Sequence, residues 1–273
     1  MPQHEARRTV VDYGAHTRSA LNRTLEREII PRLVRTHRPA VRLSEGALAP
    51  SSIPVETCAR FFEALLAPSE AEATALVAQL VHEGRPADAL MLELLAPAAV
   101  LAGERWAADT CDFVQVTVLV GRLQRMMRDL GQRLTATGTP YHAPGRALVS
   151  TLPGETHTFG LHMVAEFLYA DGWGVLIGAP VESRAAADRV AEEWIDIAAF
   201  SVSRTESLLP LRQEIAEVRR RSLNPRVKVM VGGHAVHGHP DAVKLTGADA
   251  GAVDARDAVR VARHLIADAV RVP

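Results

Sequence analysis

The spacing of apolar residues changes character near residue 145. Before it, apolar positions recur at the period of a helix with one buried face. After it, short continuous apolar runs alternate with helical segments, the pattern of a parallel sheet covered on both faces.

In the first half, His16 to about Arg38 places Leu21, Leu25, Ile29, Leu33 and Val34 on one helical face, with Pro31 expected to kink it. Arg38–Pro54 carries Pro39, Gly46, Pro50 and Pro54 and reads as a linker. Four helices are then predicted. The first covers Thr57–Leu66, and the second starts at Ser69, an N-cap with Glu72 closing a capping box, and ends near His82. The third runs from Ala87 to about Glu104 and should bend at Pro97; the fourth, Phe113–Leu134, has Asp112 as its cap. Short connections between them predict an antiparallel bundle, and Thr135–Gly145 reads as a second linker.

In the second half, strands are expected at Ala147–Leu152, Gly174–Ile177, Ile197–Val202, Val227–Val231 and Ala250–Val253. Helices are expected at Leu161–Ala170, Ala185–Trp194, Glu206–Arg221 and Asp257–Ala267, while Gly232–Gly247 is too short and glycine-rich for a full one. The fold class is therefore α/β: a five-stranded parallel, flavodoxin-like sheet of order 2-1-3-4-5, preceded by a four-helix bundle cap. The expected parts are residues 1–54 (basic helix and linker), 55–137 (cap) and 145–273 (Rossmann-like domain).

Composition narrows the class. The chain has 273 residues, 48% of them hydrophobic, and a net charge of −1, which describes a globular protein with no chain-wide basic surface. The first 42 residues differ, with nine arginines against four acidic residues. A solvated arginine-rich face is one reading of that stretch, and contact with DNA or an acidic partner is the other. Cys58 and Cys111 read as two small buried thiols rather than a disulfide. The amino end does not resemble a signal peptide, and no apolar run approaches the ~18 residues of a membrane span. A cytoplasmic protein with no membrane association is expected.

The strand order brings loops one, three and four to one edge, and these loops carry the candidate chemistry. Loop one contains Pro153-Gly154-Glu155-Thr156-His157-Thr158-Phe159-Gly160. Placed at the carboxyl end of a strand, His157 can offer a ring nitrogen to a metal while Glu155 takes the other ring N–H. A loop histidine that merely faces water is the alternative. The third strand ends in Ser201-Val202-Ser203 and the fourth in Gly232-Gly233, followed by His234, His237 and His239. With no cysteine or carboxylate to complete a tetrahedral set, those histidines are read as solvent-facing rather than zinc-binding.

Taken in order on one sheet, these motifs resemble the cobalamin-binding domain shared by methionine synthase, mutases and corrinoid carrier proteins. That family shows Asp-x-His-x-x-Gly after the first strand, Ser-x-Leu or Ser-x-Thr after the third, and Gly-Gly after the fourth. The resemblance implies that His157 is the lower cobalt ligand, with Glu155 as its partner. It implies that Thr156, Thr158, Phe159 and Gly160 complete the loop, and that Ser201, Ser203, Gly232 and Gly233 lie along the cofactor's nucleotide tail, glycines leaving room for it. Gly103-Glu104-Arg105-Trp106 is similar to the family's cap, whose tryptophan covers the upper corrin face. There are three departures. Glu155 replaces Asp, Ser203 replaces Leu or Thr and should loosen the slot, and Val116 and Thr117 stand where DNA-binding cobalamin photoreceptors carry Glu-His.

Within that family, the wording around His157, Gly121-Arg122-Leu123-Gln124 and Val231-Gly232-Gly233 is similar to the AerR/PpaA-type antirepressors of photosynthetic bacteria. The resemblance implies a non-enzymatic, light- or redox-responsive transcriptional regulator binding adenosyl-, methyl- or hydroxocobalamin. Its partner would be a DNA-binding repressor, with direct DNA contact through the basic amino-terminal helix as a further option. The alternatives are a corrinoid methyl-carrier subunit of a methyltransferase system, and a haem sensor on the same fold, since one histidine binds iron as readily as cobalt.

Overall fold

A computed structural model describes residues 53–137, 144–178 and 185–270, all within one compact unit of residues 43–273. The expected basic helix of residues 16–38 lies outside the described residues.

Numbered in chain order, the helical part comprises α1 (Val55–Leu66), α2 (Ala71–His82), α3 (Ala87–Leu90), α4 (Ala96–Ala107) and α5 (Phe113–Thr137). A π-helical turn, Met91–Leu95, joins α3 to α4, so the two run on as the third arm of a bundle. Pro97 explains the turn. A proline lacks the N–H that would bond the carbonyl four residues back and its ring crowds that carbonyl, so the helix widens just ahead of it. That carbonyl, Glu93 O, is met instead by the Cys58 thiol at 3.8 Å. Pro97 thus loosens the helix by a wide turn.

The caps are partly as expected. Asp112 Oδ1 accepts from Gln115 N–H (2.8 Å) while Gln115 Oε1 accepts from Asp112 N–H (2.9 Å), a reciprocal capping box. At α2 the expected box does not form. Ser69 Oγ accepts from Ala71 N–H (3.2 Å) and Glu70 is the capping residue, because the helix begins one residue later than the Ser69–Glu72 spacing requires. Arg122, almost fully buried, donates to the carbonyls of Leu65 (2.7 Å), Ala67 (2.6 Å) and Pro68 (2.9 Å). It satisfies the open carboxyl end of α1 and pins α5 to it.

The α/β part follows as β1 (Arg146–Ser150), α6 (Phe159–Ala170), β2 (Gly174–Ile177), α7 (Ala186–Glu192), β3 (Ile197–Ser201), a 3-10 turn (Thr205–Ser207), α8 (Leu208–Arg221), β4 (Lys228–Gly232), α9 (His234–His237), α10 (Ala242–Thr246), β5 (Ala250–Gly251) and α11 (Ala255–Val270). The strands are parallel in the order β2-β1-β3-β4-β5, as the alternation of the sequence predicts. The stretch after β4 forms two short helices, bounded by Gly233 and Gly247 at positive φ, 99° and 72°, and separated by a Gly238–Asp241 break that contains Pro240.

Strand alternation splits the sheet's side chains between two cores. Leu148, Ala198, Phe200, Val202, Val229 and Val231 pack under α7 and α8. Ala147, Val149, Ile197, Ala199 and Met230 pack under α6 and α11. The outer side of α6 is apolar as well. Met163 and Phe167 belong to the core of the helical bundle, with Phe159 and Val164 packed against it. The bundle is thus seated directly on the helix that follows loop one. Gly131 of α5 lets the two helices approach, its bare Cα lying under the Glu166 carboxylate, which burial pushes above the usual carboxylate range. Arg256 of α11 also reaches Asp88 of α3 at 2.7 Å.

Candidate functional site

Loop one is built by a turn. Leu152-Pro153-Gly154-Glu155 closes with Glu155 N–H donating to Leu152 O at 3.1 Å, and Gly154 sits at φ 81°. Proline fixes the second position and glycine permits the third, the chemistry of a type II turn. The turn brings Glu155 inward, where it is 4% exposed, and leaves His157 outward with 51% of its side chain exposed.

Glu155 then holds both neighbouring loops. Its Oε1 accepts from the backbone N–H of His157 (2.9 Å) and lies 2.7 Å from His157 Nδ1. Its Oε2 accepts from the hydroxyl of Ser203, two residues past the end of β3. Burial alone would raise this carboxyl's pKa. The hydrogen bonds from the His157 ring, from Ser203 and from the His157 N–H outweigh it and hold the group at about 2. Glu155 is therefore an anion at neutral pH. An anionic carboxylate only accepts, so Nδ1 of His157 carries a proton, and in the neutral ring the lone pair is then on Nε2. That is the tautomer a metal ligand needs.

The resemblance puts Ser203 along the tail slot; in the structure its hydroxyl anchors Glu155. The longer arm of glutamate explains this, since its second oxygen spans from loop one to loop three. Phe159, expected at the cofactor, packs into the helical bundle. Thr156 is exposed. Thr158 precedes α6 and its carbonyl accepts from His162 N–H (3.0 Å), with His162 Nδ1 at 2.8 Å.

Beside the relay lies a trough. On the α6/α11 face, the last rung of the sheet pairs Ser201 with Gly232. Extending the β1–β3 register by one residue puts Thr151 beside Ser201, and extending β4–β5 likewise puts Ala252 beside Gly232. Thr151, Ser201, Gly232 and Ala252 form a row of small side chains across four strands. Gly160, in the first turn of α6, stands over it; a Cβ there would lie 3.6 Å from Ser201 Oγ, and one on Gly232 would lie 3.2 Å from Ala252 O. Thr151 and Ala252 belong to this row and lie outside the quoted motifs.

Gly233 has a different reason to be glycine. A Cβ on it would fall 2.6 Å from Val202 O and 2.9 Å from Val202 N. The clash is with the neighbouring strand's backbone, not with the trough. Val202 O accepts from Ala235 N–H at 3.1 Å and Val202 N–H donates to Gly232 O at 2.9 Å, so the tight fold-back of Gly233 closes the end of β4 onto β3.

Trp106 lies half-buried in the last turn of α4, beside Arg105, whose guanidinium covers the Phe62 ring at 4.8 Å. Val116 and Thr117 are on α5, whose first turns expose Phe113, Val114 and Val118. Among the described residues, no cluster of three or more His, Cys, Asp or Glu would hold a metal by itself, and Cys58 and Cys111 are free thiols. Nor is any described helix long and apolar enough to cross a membrane.

The family model of the B12 binding domain matches residues 145–263, which span loop one and the trough. Dimethylamine corrinoid protein 3 of Methanosarcina mazei is 30% identical over 136 residues, 49% of this chain and 80% of that protein. The chain belongs to the B12-binding domain family. It is also 29% identical over 168 residues, 60% of this chain and 85% of the relative, to an uncharacterized 20.5 kDa protein in the bchF-crtJ intergenic region of Rhodobacter capsulatus. The B12-binding fold is matched in the monomethylamine corrinoid protein of Methanosarcina barkeri, with a TM-score of 0.63 and 22% identity over 77% of this chain and 98% of that one.

The residues present fit cobalamin. His157 Nε2 would hold the cobalt from below, and the trough of small residues would take the nucleotide tail. Bound there, cobalamin would supply a cobalt–carbon bond that can be made and broken. The chain's own part is to orient the imidazole through Glu155 and Ser203 and to keep the side chains of the row small.

Proposed function

We propose that this protein is a cobalamin-binding sensor of light or redox state that regulates transcription through a DNA-binding repressor. The observation that carries the cofactor part is the Ser203–Glu155–His157 relay beside a trough of small residues. Haem needs a single imidazole and has no tail, so the trough favours cobalamin over haem at His157.

The regulatory part is supported by the arginine-rich first 42 residues, for which carrying a methyl group has no evident use, and by likeness to the Rhodobacter capsulatus protein. In this reading Trp106 and the exposed apolar start of α5 lie toward the upper corrin face, and loss of an alkyl group alters how the bundle is seated. The shift required is small, since about 1.4 kcal/mol changes a population ratio tenfold. Because Met163 and Phe167 tie the bundle to α6, the motion is a slide over a shared core rather than a separation.

The second reading is a corrinoid carrier of methyl groups, favoured by the likeness to dimethylamine corrinoid protein 3. The deciding experiment loads the full chain with adenosylcobalamin and measures, in the dark and after illumination, its affinity for a repressor bound to its operator. A light-dependent affinity, blunted by Trp106→Ala with the cofactor retained, supports the sensor. Equal affinity, with methyl transfer from the methylcobalamin-loaded form to a methyltransferase, supports the carrier.

A further inference from the structure

A tryptophan left outside the core yet held still has the properties of a binding anchor. Trp173 and Trp194 both stand at the amino edge of the sheet, where strands begin, opposite the edge that carries His157. Trp173 precedes β2 and is 3% exposed, whereas Trp194 precedes β3 and is 48% exposed. Each indole N–H donates to a nearby aspartate at 3.0 Å, Trp173 to Asp171 and Trp194 to Asp196. One ring packs into the core, and the other is fixed outside it.

Asp196 Oδ1 takes the Trp194 indole while Oδ2 accepts from Arg146 N–H at 2.8 Å. The carboxylate that holds the ring is therefore itself held by the start of β1. Leu223, 51% exposed, lies at the same edge on the loop between α8 and β4. Its N–H donates to Val190 O at 2.9 Å, and the buried Asn224 side chain donates to Ile195 O at 3.0 Å. These two bonds tie the Leu223 loop to residues on either side of Trp194. Both apolar side chains thus sit on loops that are already ordered, which lowers the entropy cost of docking. The charges around them are matched in pairs, Arg221 with Asp188 at 2.6 Å, and Arg146 and Arg189 with Glu193. Such a rim draws neither a polyanion nor a strongly charged peptide. It suits a surface of its own composition, two apolar anchors within a balanced rim.

We propose that the amino edge is the interface of a symmetric homodimer, in which Trp194 of one copy packs against Leu223 of the other. A twofold interface is self-complementary, so a contact made once is made twice. Pairing Trp194 with Leu223 covers all four apolar groups in two equivalent contacts. A rim neutral in pairs brings no net repulsion between the copies. The interface lies at the far edge of the sheet from His157, so both copies keep their loop-one edges free. The proposal goes beyond the cobalamin reading and does not depend on it.

The test is analytical ultracentrifugation of the full chain over a series of concentrations, without cofactor and loaded with hydroxocobalamin. The wild type is expected to pass from monomer to dimer as concentration rises, alike in both forms. Trp194→Asp and Leu223→Lys should each weaken that dimer by at least about tenfold. Mixed in equal amounts, the two variants should form a heterodimer. One native Trp194–Leu223 contact is then restored, and the other becomes an aspartate–lysine pair. Rescue by mixing is a result that mere damage to the fold does not give. A wild type that stays monomeric at every concentration overturns the proposal and leaves the edge to a different partner. A dimer as tight in Leu223→Lys as in the wild type places the interface elsewhere. That variant decides alone if Trp194→Asp does not fold, since Leu223 lies outside the core. Two folded variants that stay apart on mixing refute the pairing of Trp194 with Leu223. Loss of cobalamin binding by a wild type that still dimerises would sink the cofactor reading and leave this one standing.

Discussion

The two faces of the sheet end differently at the same edge. On the α7/α8 face the strands finish in Phe200, Val202 and Val231, each under 4% exposed, with Leu152 packed against them. On the α6/α11 face, at the same level, stand Thr151, Ser201, Gly232 and Ala252. One face is sealed by bulk, as a core requires. The other is left shallow by small and hydroxylic residues, and the relay to His157 lies beside it. Identical strands thus serve stability on one side and binding on the other, and substitutions should separate the two roles.

The largest effect belongs to the sealed face. Phe200→Ala should cost about 3–5 kcal/mol of stability, read as a lowered denaturation midpoint of the cofactor-free protein. Among molecules that remain folded, corrinoid affinity should change little. If affinity fell while stability held, the two faces would not be divided as described.

Gly233 comes next. At φ 99°, with its missing Cβ 2.6 Å from Val202 O, Gly233→Ala should destabilise the cofactor-free protein by about 2–3 kcal/mol. Weakened corrinoid uptake with unchanged stability would instead return Gly233 to the trough.

Glu155 gives a smaller effect with a defined pH window. Its folded pKa, about 2, lies below the ordinary 4.5, so between these values the unfolded chain binds more protons and stability rises with pH. The contribution is complete above about pH 4.5 and is lost as pH falls through about 2. It is on the order of 2 kcal/mol, reduced from the full shift because the His157 end is half exposed. Glu155→Gln should flatten that part of the stability–pH curve of the cofactor-free protein, and an unaltered curve would mean that the carboxylate is not held as described.

Ser201→Leu should have the smallest effect on folding, within about 1 kcal/mol, because its side chain enters the open row. It should nevertheless weaken binding of benzimidazolyl cobamide by about tenfold, measured by titration. Normal affinity would place the tail elsewhere.

Much of this division was legible in the chain. The apolar runs gave the strands to within a residue or two, and their order followed from the alternation with helices. Glu155, His157 and Gly160 announced loop one. Thr151 was hidden because a threonine ending an apolar run looks like ordinary strand composition; only register places it in the row. The contact of Ser203 with Glu155 is not legible in the chain, because the sequence says which loop the serine sits on and not which way it turns. The backbone neighbour that requires glycine at Gly233 shows only in the structure, since Val202 is distant from it in sequence. The π turn before Pro97 follows from how a helix absorbs a proline, which spacing alone does not choose between a bend and a bulge.

The central claim is that His157, aimed by Glu155, is the lower ligand of cobalt. Electron paramagnetic resonance of the protein loaded with cob(II)alamin reads that ligand directly, since one axial 14N splits each cobalt line into three and one 15N into two. Protein grown with 15N-histidine should turn the triplets into doublets, and His157→Ala should abolish that change. Triplets that persist in the labelled protein would mean that the cofactor's own base remains on cobalt, and would contradict the account.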